Sequence, residues 1–191
     1  MITEDNRRRT SLFIDDAGWL QSVEVIKSPN FDSRPENAGI KLVVVHGISL
    51  PPGEYGGGHI QNFFCNQLDA DAHEYFESIC SMTVSAHCLI ERDGNIVQFV
   101  SFLDRAWHAG ESQWRGEQAC NDFSVGIELE GCDDEAYTES QYTSLANLIA
   151  GLQARFPQIA SDAITGHSDI APGRKTDPGP TFDWDKLKQL V

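Results

Sequence analysis

Basic residues are scarce in this chain. Lys and Arg number 14 against 29 Asp and Glu among 191 residues, a formal net charge of −15. Nucleic-acid and anionic membrane surfaces recruit clustered cations, so this balance argues against both as partners. No apolar run approaches the ~18 residues needed to cross a bilayer. The start, MITEDNRRRTSLF, has basic residues but no apolar stretch behind them, so no secretory signal is expected. The five cysteines (Cys65, Cys80, Cys88, Cys120 and Cys132) form an odd set without a CxxC pair. That fits small buried thiols in a reducing compartment better than a disulfide framework, and the cytoplasm is the expected location. The chain also lacks internal repeats and low-complexity linkers: residues 1–10 read as a polar tail and 11–191 as a single domain. No GxSxG is present, so Ser168 has no nucleophile elbow and a serine hydrolase is excluded.

What is present alternates between strands and helices. LVVVHGI (Leu42 to Ile48) is a β-branched apolar run suited to a strand buried on both faces. SLPPGEYGGGHI follows, too rich in Pro and Gly for a regular element. It reads either as a cleft-edge segment that shifts on binding or as an ordered surface loop. Helical stretches are expected near Ile60 to Leu68 and His73 to Cys80. SAHCLIERDGNIVQFV carries two apolar runs around Asp93-Gly94, the signature of a hairpin with a type I′ turn. In FSVGIELEG, Val125, Ile127 and Leu129 point one way and Gly126, Glu128 and Glu130 the other. Thr138 and Gln141 spell a capping box, with Tyr137 and Tyr142 placed as a hydrophobic staple. Leu145, Leu148, Ile149, Leu152 and Phe156 continue that helix until Pro157 ends it, and a last helix is expected from Trp184 to Leu190. The fold class is α/β or mixed α+β, a central mixed sheet covered by helices.

The segment TGHSDIAPGRKTDPGP, residues 165 to 180, is broken by Pro172, Gly173, Pro178 and Gly179, so no regular element is expected there. Yet it holds His167, Arg174, Lys175 and Asp177 within eleven positions. His46 ends a buried strand run, either as a core histidine bonded to backbone or as a ligand. Folded back, His167 and Asp177 could meet His46 as two imidazoles and one carboxylate, a donor set of the catalytic zinc type. There is no HExxH, and this spacing does not itself announce a metal site. Nor does periodicity separate Glu128 from Glu130 as the acid with a chemical task.

VVVHGISLPPGEYGGG, SAHCLIERDGNIVQFV, RAWHAG, CNDFSVGIELEG and TGHSDIAPGRKTDPGP, in that order, resemble the zinc-dependent type 2 N-acetylmuramoyl-L-alanine amidases. The likeness runs from about Trp19 to Trp184 and is greatest to the cytoplasmic branch that acts on 1,6-anhydro-muropeptides. It implies a mixed sheet flanked by helices, one Zn²⁺ held by His46, His167 and Asp177, and catalysis by Glu128 and Lys175. More distant relatives often place a cysteine where Asp177 stands. The implied substrate is a small muropeptide met in peptidoglycan recycling, with no obligatory protein partner. Trp107, His108 and Arg174 are the expected substrate contacts; His87 is expected to be structural. The chain departs from some close relatives at Gly47, where they carry Asn, and at Thr83 and Ala119, where they carry Arg. Those positions bear on the stem-peptide carboxylates and not on the metal. In so acidic a chain, Arg105, Arg174 and Lys175 are the cations expected to offset a repulsive mean field. Two rival readings follow from the same motifs. A lytic amidase acting on polymeric wall would carry an export signal, paired cysteines or a wall-binding domain. A peptidoglycan-binding module would have lost the metal or its base.

Overall fold

The structure, a computed structural model, describes residues 12–191; the polar tail expected over residues 1–10 lies outside the described residues. In chain order the strands are β1 (Glu24–Val25), β2 (Phe31–Ser33), β3 (Leu42–Ile48), β4 (Cys88–Ile90), β5 (Ile96–Gln98), β6 (Asp104–Ala106), β7 (Gln113–Trp114), β8 (Glu117–Gln118), β9 (Ser124–Glu130) and β10 (Ile164–Gly166). The α-helices are α1 (His59–Phe64), α2 (Glu74–Glu77), α3 (Glu139–Arg155), α4 (His167–Ile170) and α5 (Trp184–Leu190). Six strands form the main sheet in the order β1-β5-β4-β9-β3-β10. Every neighbouring pair in it is parallel except the hairpin β4–β5. The mixed sheet agrees with the class read from the sequence.

β3 and β9 lie at its centre and explain their own composition. Both faces are covered, so alternate side chains enter different cores. Val43, Val45, Val125, Ile127 and Leu129 pack with Leu145, Leu148, Ile149 and Leu152 of α3 and with Leu187 of α5. Leu42 and Val44 enter the opposite layer with Cys120, Phe123 and Ile170. Leu89 and Val97 do so with Phe63, Phe64, Phe76 and Phe99. The same alternation turns His46 and Glu128 away from α3, and the register pairs them side by side.

The capping box forms as expected: Gln141 N donates to Thr138 Oγ1 at 3.1 Å and Thr138 N to Gln141 Oε1 at 3.0 Å, a contribution of about 1 kcal/mol. Tyr137 and Tyr142 both pack on the Phe182 ring, with centroids 5.5 and 5.2 Å away. Elsewhere the structure corrects the sequence reading. α1 stops at Phe64 because Asn66 takes a left-handed φ of 58° and Gln67 N folds back onto Asn62 O. The second helix keeps one turn, Glu74–Glu77, capped by His73 Nδ1 accepting from Tyr75 N at 3.1 Å. The β4–β5 turn is not type I′, since Gly94 has positive φ and Asp93 does not. Gly94 N donates to Glu91 O and Glu91 N to Asn95 O, a three-residue loop closed by a glycine bulge. Residues 165 to 180 are also more regular than expected. β10 runs through Gly166, and His167 opens the single turn of α4, because Asp169 Oδ2 accepts from Gly166 N at 2.9 Å.

Candidate active site and metal centre

β3 delivers His46 to its C-terminal end, and β10, beside it, delivers His167 at the first position of α4. The loop beyond α4 returns because Ser168 N donates to Asp177 O at 2.9 Å and Tyr137 Oη donates to Pro178 O at 2.9 Å. Three side-chain atoms then converge. His46 Nδ1 and His167 Nδ1 are 2.9 Å apart, and each lies 3.1 Å from Asp177 Oδ2. Both imidazoles are buried, at 1% and 3% exposure. His167 Nε2 lies 3.2 Å from the carbonyl oxygen of Ala109. A carbonyl only accepts, so Nε2 carries the proton and Nδ1 presents its lone pair inward. Burial, aided by His167 and Lys175 and opposed by Asp177, pushes His46 down to about 4, so its ring is neutral at pH 7. Two imidazole nitrogens and a carboxylate oxygen at this spacing need a proton or a cation among them. Such a set can hold one small metal ion.

Next to His46 on β9, Glu128 is 9% exposed, and its Oε2 is buried without a hydrogen-bond partner. Burial, then the Asp177 charge, raise its carboxyl well above the ordinary value, with Lys175 opposing. Glu130, two residues on, is spoken for. Its Oε1 accepts from Gly56 N at 2.6 Å and its Oε2 from Arg92 N at 3.1 Å. The geometry separates two acids that periodicity could not: one is a clamp, the other is uncommitted.

The sequence profile of the N-acetylmuramoyl-L-alanine amidases matches residues 36–180. The chain belongs to that family. It is 54% identical over 176 residues to the 1,6-anhydro-N-acetylmuramyl-L-alanine amidase AmpD of Citrobacter freundii, covering 92% of this chain and 94% of that protein. A crystal structure of a selenomethionine derivative of AmpD superposes with a TM-score of 0.91 at 52% identity, over 94% of this chain and 99% of that one. The amidase AmiD from E. coli, solved with the substrate anhydro-N-acetylmuramic acid-L-Ala-D-gamma-Glu-L-Lys, matches at a TM-score of 0.59 and 27% identity, over 93% of this chain and 65% of that one.

In this amidase the convergent atoms lie in a groove of about 530 Å³. Its lining combines apolar residues, among them Leu50, Pro52, Phe63, Met82 and Trp107, with the polar groups His46, Glu128, His167, Lys175 and Asp177. Trp107 is held by its own indole N–H, which donates to Asp32 Oδ1 at 3.2 Å, while Arg105 grips the same carboxylate at 2.6 Å. Arg105 also pairs with Asp122, so its charge is already neutralised. Lys175 lines the groove and has no hydrogen bond or ion pair from its ammonium among the described residues. Arg174 does not line the groove; it donates to the carbonyls of Ala109 and Glu111 at 2.6 Å. His108 does line it, but both ring nitrogens turn inward: Nδ1 is 2.9 Å from His46 Nε2 and Nε2 is 3.1 Å from Ser124 Oγ. Burial, then His46 and His87, hold His108 well below the ordinary imidazole value. His87 is structural in its contacts, its Nδ1 accepting from Gly126 N at 3.0 Å.

Gly47 lies in the groove, and a Cβ there would meet Tyr137 Oη at 2.3 Å. Thr83 is exposed and, like Ala119, stands outside the groove lining. The residues that sequence reasoning missed are Asp32, Ser124 and the clamp made by Glu130. Each acts through a partner distant in the chain, so no local pattern marks it. Among the described residues no helix is long and apolar enough to cross a membrane.

Proposed function

We propose that this amidase cleaves the amide bond joining the lactyl group of 1,6-anhydro-N-acetylmuramic acid to L-alanine in muropeptides, a step of peptidoglycan recycling in the cytoplasm. One Zn²⁺ would be held by His46 Nδ1, His167 Nδ1 and Asp177 Oδ2. The observation that carries the reading is the convergence of those three atoms beside a buried carboxylate that has no partner. Two neutral imidazoles and one anion leave a divalent ion net positive, and zinc there supplies a Lewis acid and hydroxide near neutral pH. Glu128, poised with a raised affinity for protons, takes one from the attacking water and returns it to the leaving amine. Lys175, uncommitted at the groove wall, donates to the substrate carbonyl oxygen as negative charge develops. Trp107 and His108 wall the cleft that receives the sugar and the first residues of the peptide. Arg174 acts from behind, tied to the Ala109 carbonyl that orients His167.

The likeness to AmpD over most of both chains favours soluble anhydro-muropeptide over polymeric wall. A direct comparison tests it. Purified zinc-loaded protein is incubated with soluble anhydro-muropeptide and with intact sacculi, and products are weighed by mass spectrometry. Release of free stem peptide from the first substrate and little from the second is expected. Preferential release from sacculi would make this a lytic amidase instead.

A further inference from the structure

We infer that His108 and Ser124 form a positioning relay that fixes the tautomer of His46, so that the Nδ1 lone pair of His46 faces His167 and Asp177. The inference deepens the zinc reading above and rests on it for its consequence, though not for its geometry.

The relay is read from its outer end. Ser124 Oγ lies 2.6 Å from the Cys120 carbonyl oxygen. A carbonyl can only accept, so the single hydroxyl proton of Ser124 is committed there. The same Oγ lies 3.1 Å from His108 Nε2. With no proton left to give, the hydroxyl accepts, and His108 Nε2 carries the N–H. A neutral imidazole has one donor and one acceptor, so His108 Nδ1 is the acceptor. His46 Nε2, 2.9 Å away, must then donate to it. The remaining nitrogen of His46, Nδ1, has no proton. It is this nitrogen that stands 2.9 Å from His167 Nδ1 and 3.1 Å from Asp177 Oδ2. A backbone carbonyl thus sets the protonation of a side chain three hydrogen bonds away. Had Nδ1 kept its proton, the lone pair would point at His108 and the converging set would lack one member.

The floor under the relay is cut to fit. Gly126 sits beneath His108, and a Cβ at that position would meet His108 Cγ at 2.3 Å. Gly126 is the register neighbour of Val44 in mid-sheet, where glycine otherwise weakens a strand. Ser124 and Gly126 belong to the same face of β9 as Glu128. One strand therefore carries the relay's acceptor, the space for its ring and the uncommitted acid.

Metal ligands of this kind lose about 10- to 100-fold in affinity or activity when the group behind them is removed. Asn and Leu have nearly the same shape, and either substitution at position 108 removes the ring. Asn can turn its amide oxygen to accept from His46 Nε2; Leu cannot. Zinc affinity measured by competition with a chromophoric chelator should therefore stay within a few-fold of wild type in His108→Asn. It should fall about 10- to 100-fold in His108→Leu. Ser124→Ala, a smaller change, should shift affinity in the same direction as His108→Leu. Long-range ¹⁵N–¹H spectra of zinc-free wild type should show His46 protonated at Nε2. His46 protonated at Nδ1, equal zinc affinities in the Asn and Leu variants, or a Ser124→Ala protein that binds zinc like wild type would each overturn the relay. Wild type that binds no zinc would instead overturn the metal reading, and the His46 spectrum would still decide the tautomer.

Discussion

Glu128 and Glu130 occupy the same face of one strand and are both nearly buried, yet their hydrogen bonds differ completely. That difference makes the pair a test of role. Glu128→Gln should keep the fold and bound zinc while turnover falls by about 10² to 10⁴. Because burial raises its pKa, wild-type Glu128 favours folding below the ordinary Glu value of 4.5, and that contribution is lost as pH rises. The zinc-free Gln variant should therefore melt above wild type at pH 7 and match it near pH 4. Glu130→Ala should do the opposite, lowering stability by about 1–3 kcal/mol because two backbone amides lose their charged acceptor. Thermal unfolding and steady-state rates measured together decide it. A fully active Glu128→Gln beside an inactive but stable Glu130→Ala would mean the wrong carboxylate has been chosen.

At the scale of elements, the segment after β3 shows how far a local pattern reaches. Its prolines and glycines suit a moving edge as well as an ordered loop. The structure supplies anchors: Gly53 N donates to Ser49 Oγ, Gly56 N to Glu130, and Tyr55 Oη to Glu135, with the Arg92 guanidinium 4.7 Å above the Tyr55 ring. Hydrogen exchange should find the Gly56 amide protected in free and product-bound protein alike, and exposed in Glu130→Ala. Uniformly fast exchange from Gly53 to Gly58 in the free protein would show an open edge. The elements legible in the sequence were those whose causes are local. The α3 capping box spans four residues, and the alternation of β9 is contained in the strand. The anchors were not legible, because Glu130 meets Gly56 across 74 positions and Asp32 meets Trp107 across 75. The convergence of His46, His167 and Asp177 was likewise reachable only through family resemblance; the parallel pairing of β3 with β10 that creates it leaves no mark in either strand.

Taken whole, the molecule buries several imidazoles in neutral form, and this governs its response to acid. Burial, then the Arg34 guanidinium, push His87 down to about 3, whereas the unfolded chain titrates near 6.5. A depressed folded value means stability that is present above pH 6.5 and is lost as pH falls toward 3, at up to about 1.4 kcal/mol per pH unit for each such group. The zinc-free protein should lose stability steeply between pH 6.5 and 4, and His87→Gln should make that slope shallower even if it lowers the plateau. Parallel slopes in the two proteins would show that His87 does not contribute.

The cluster at the groove joins positions 46, 167 and 177, and this has a consequence for timing. A nascent polypeptide leaving the ribosome displays His46 and Glu128 long before it displays Asp177. Through most of its synthesis it therefore has the strands of the scaffold and none of the assembled cluster. On the metal reading proposed above, a chain stopped ahead of position 177 should show no amidase activity.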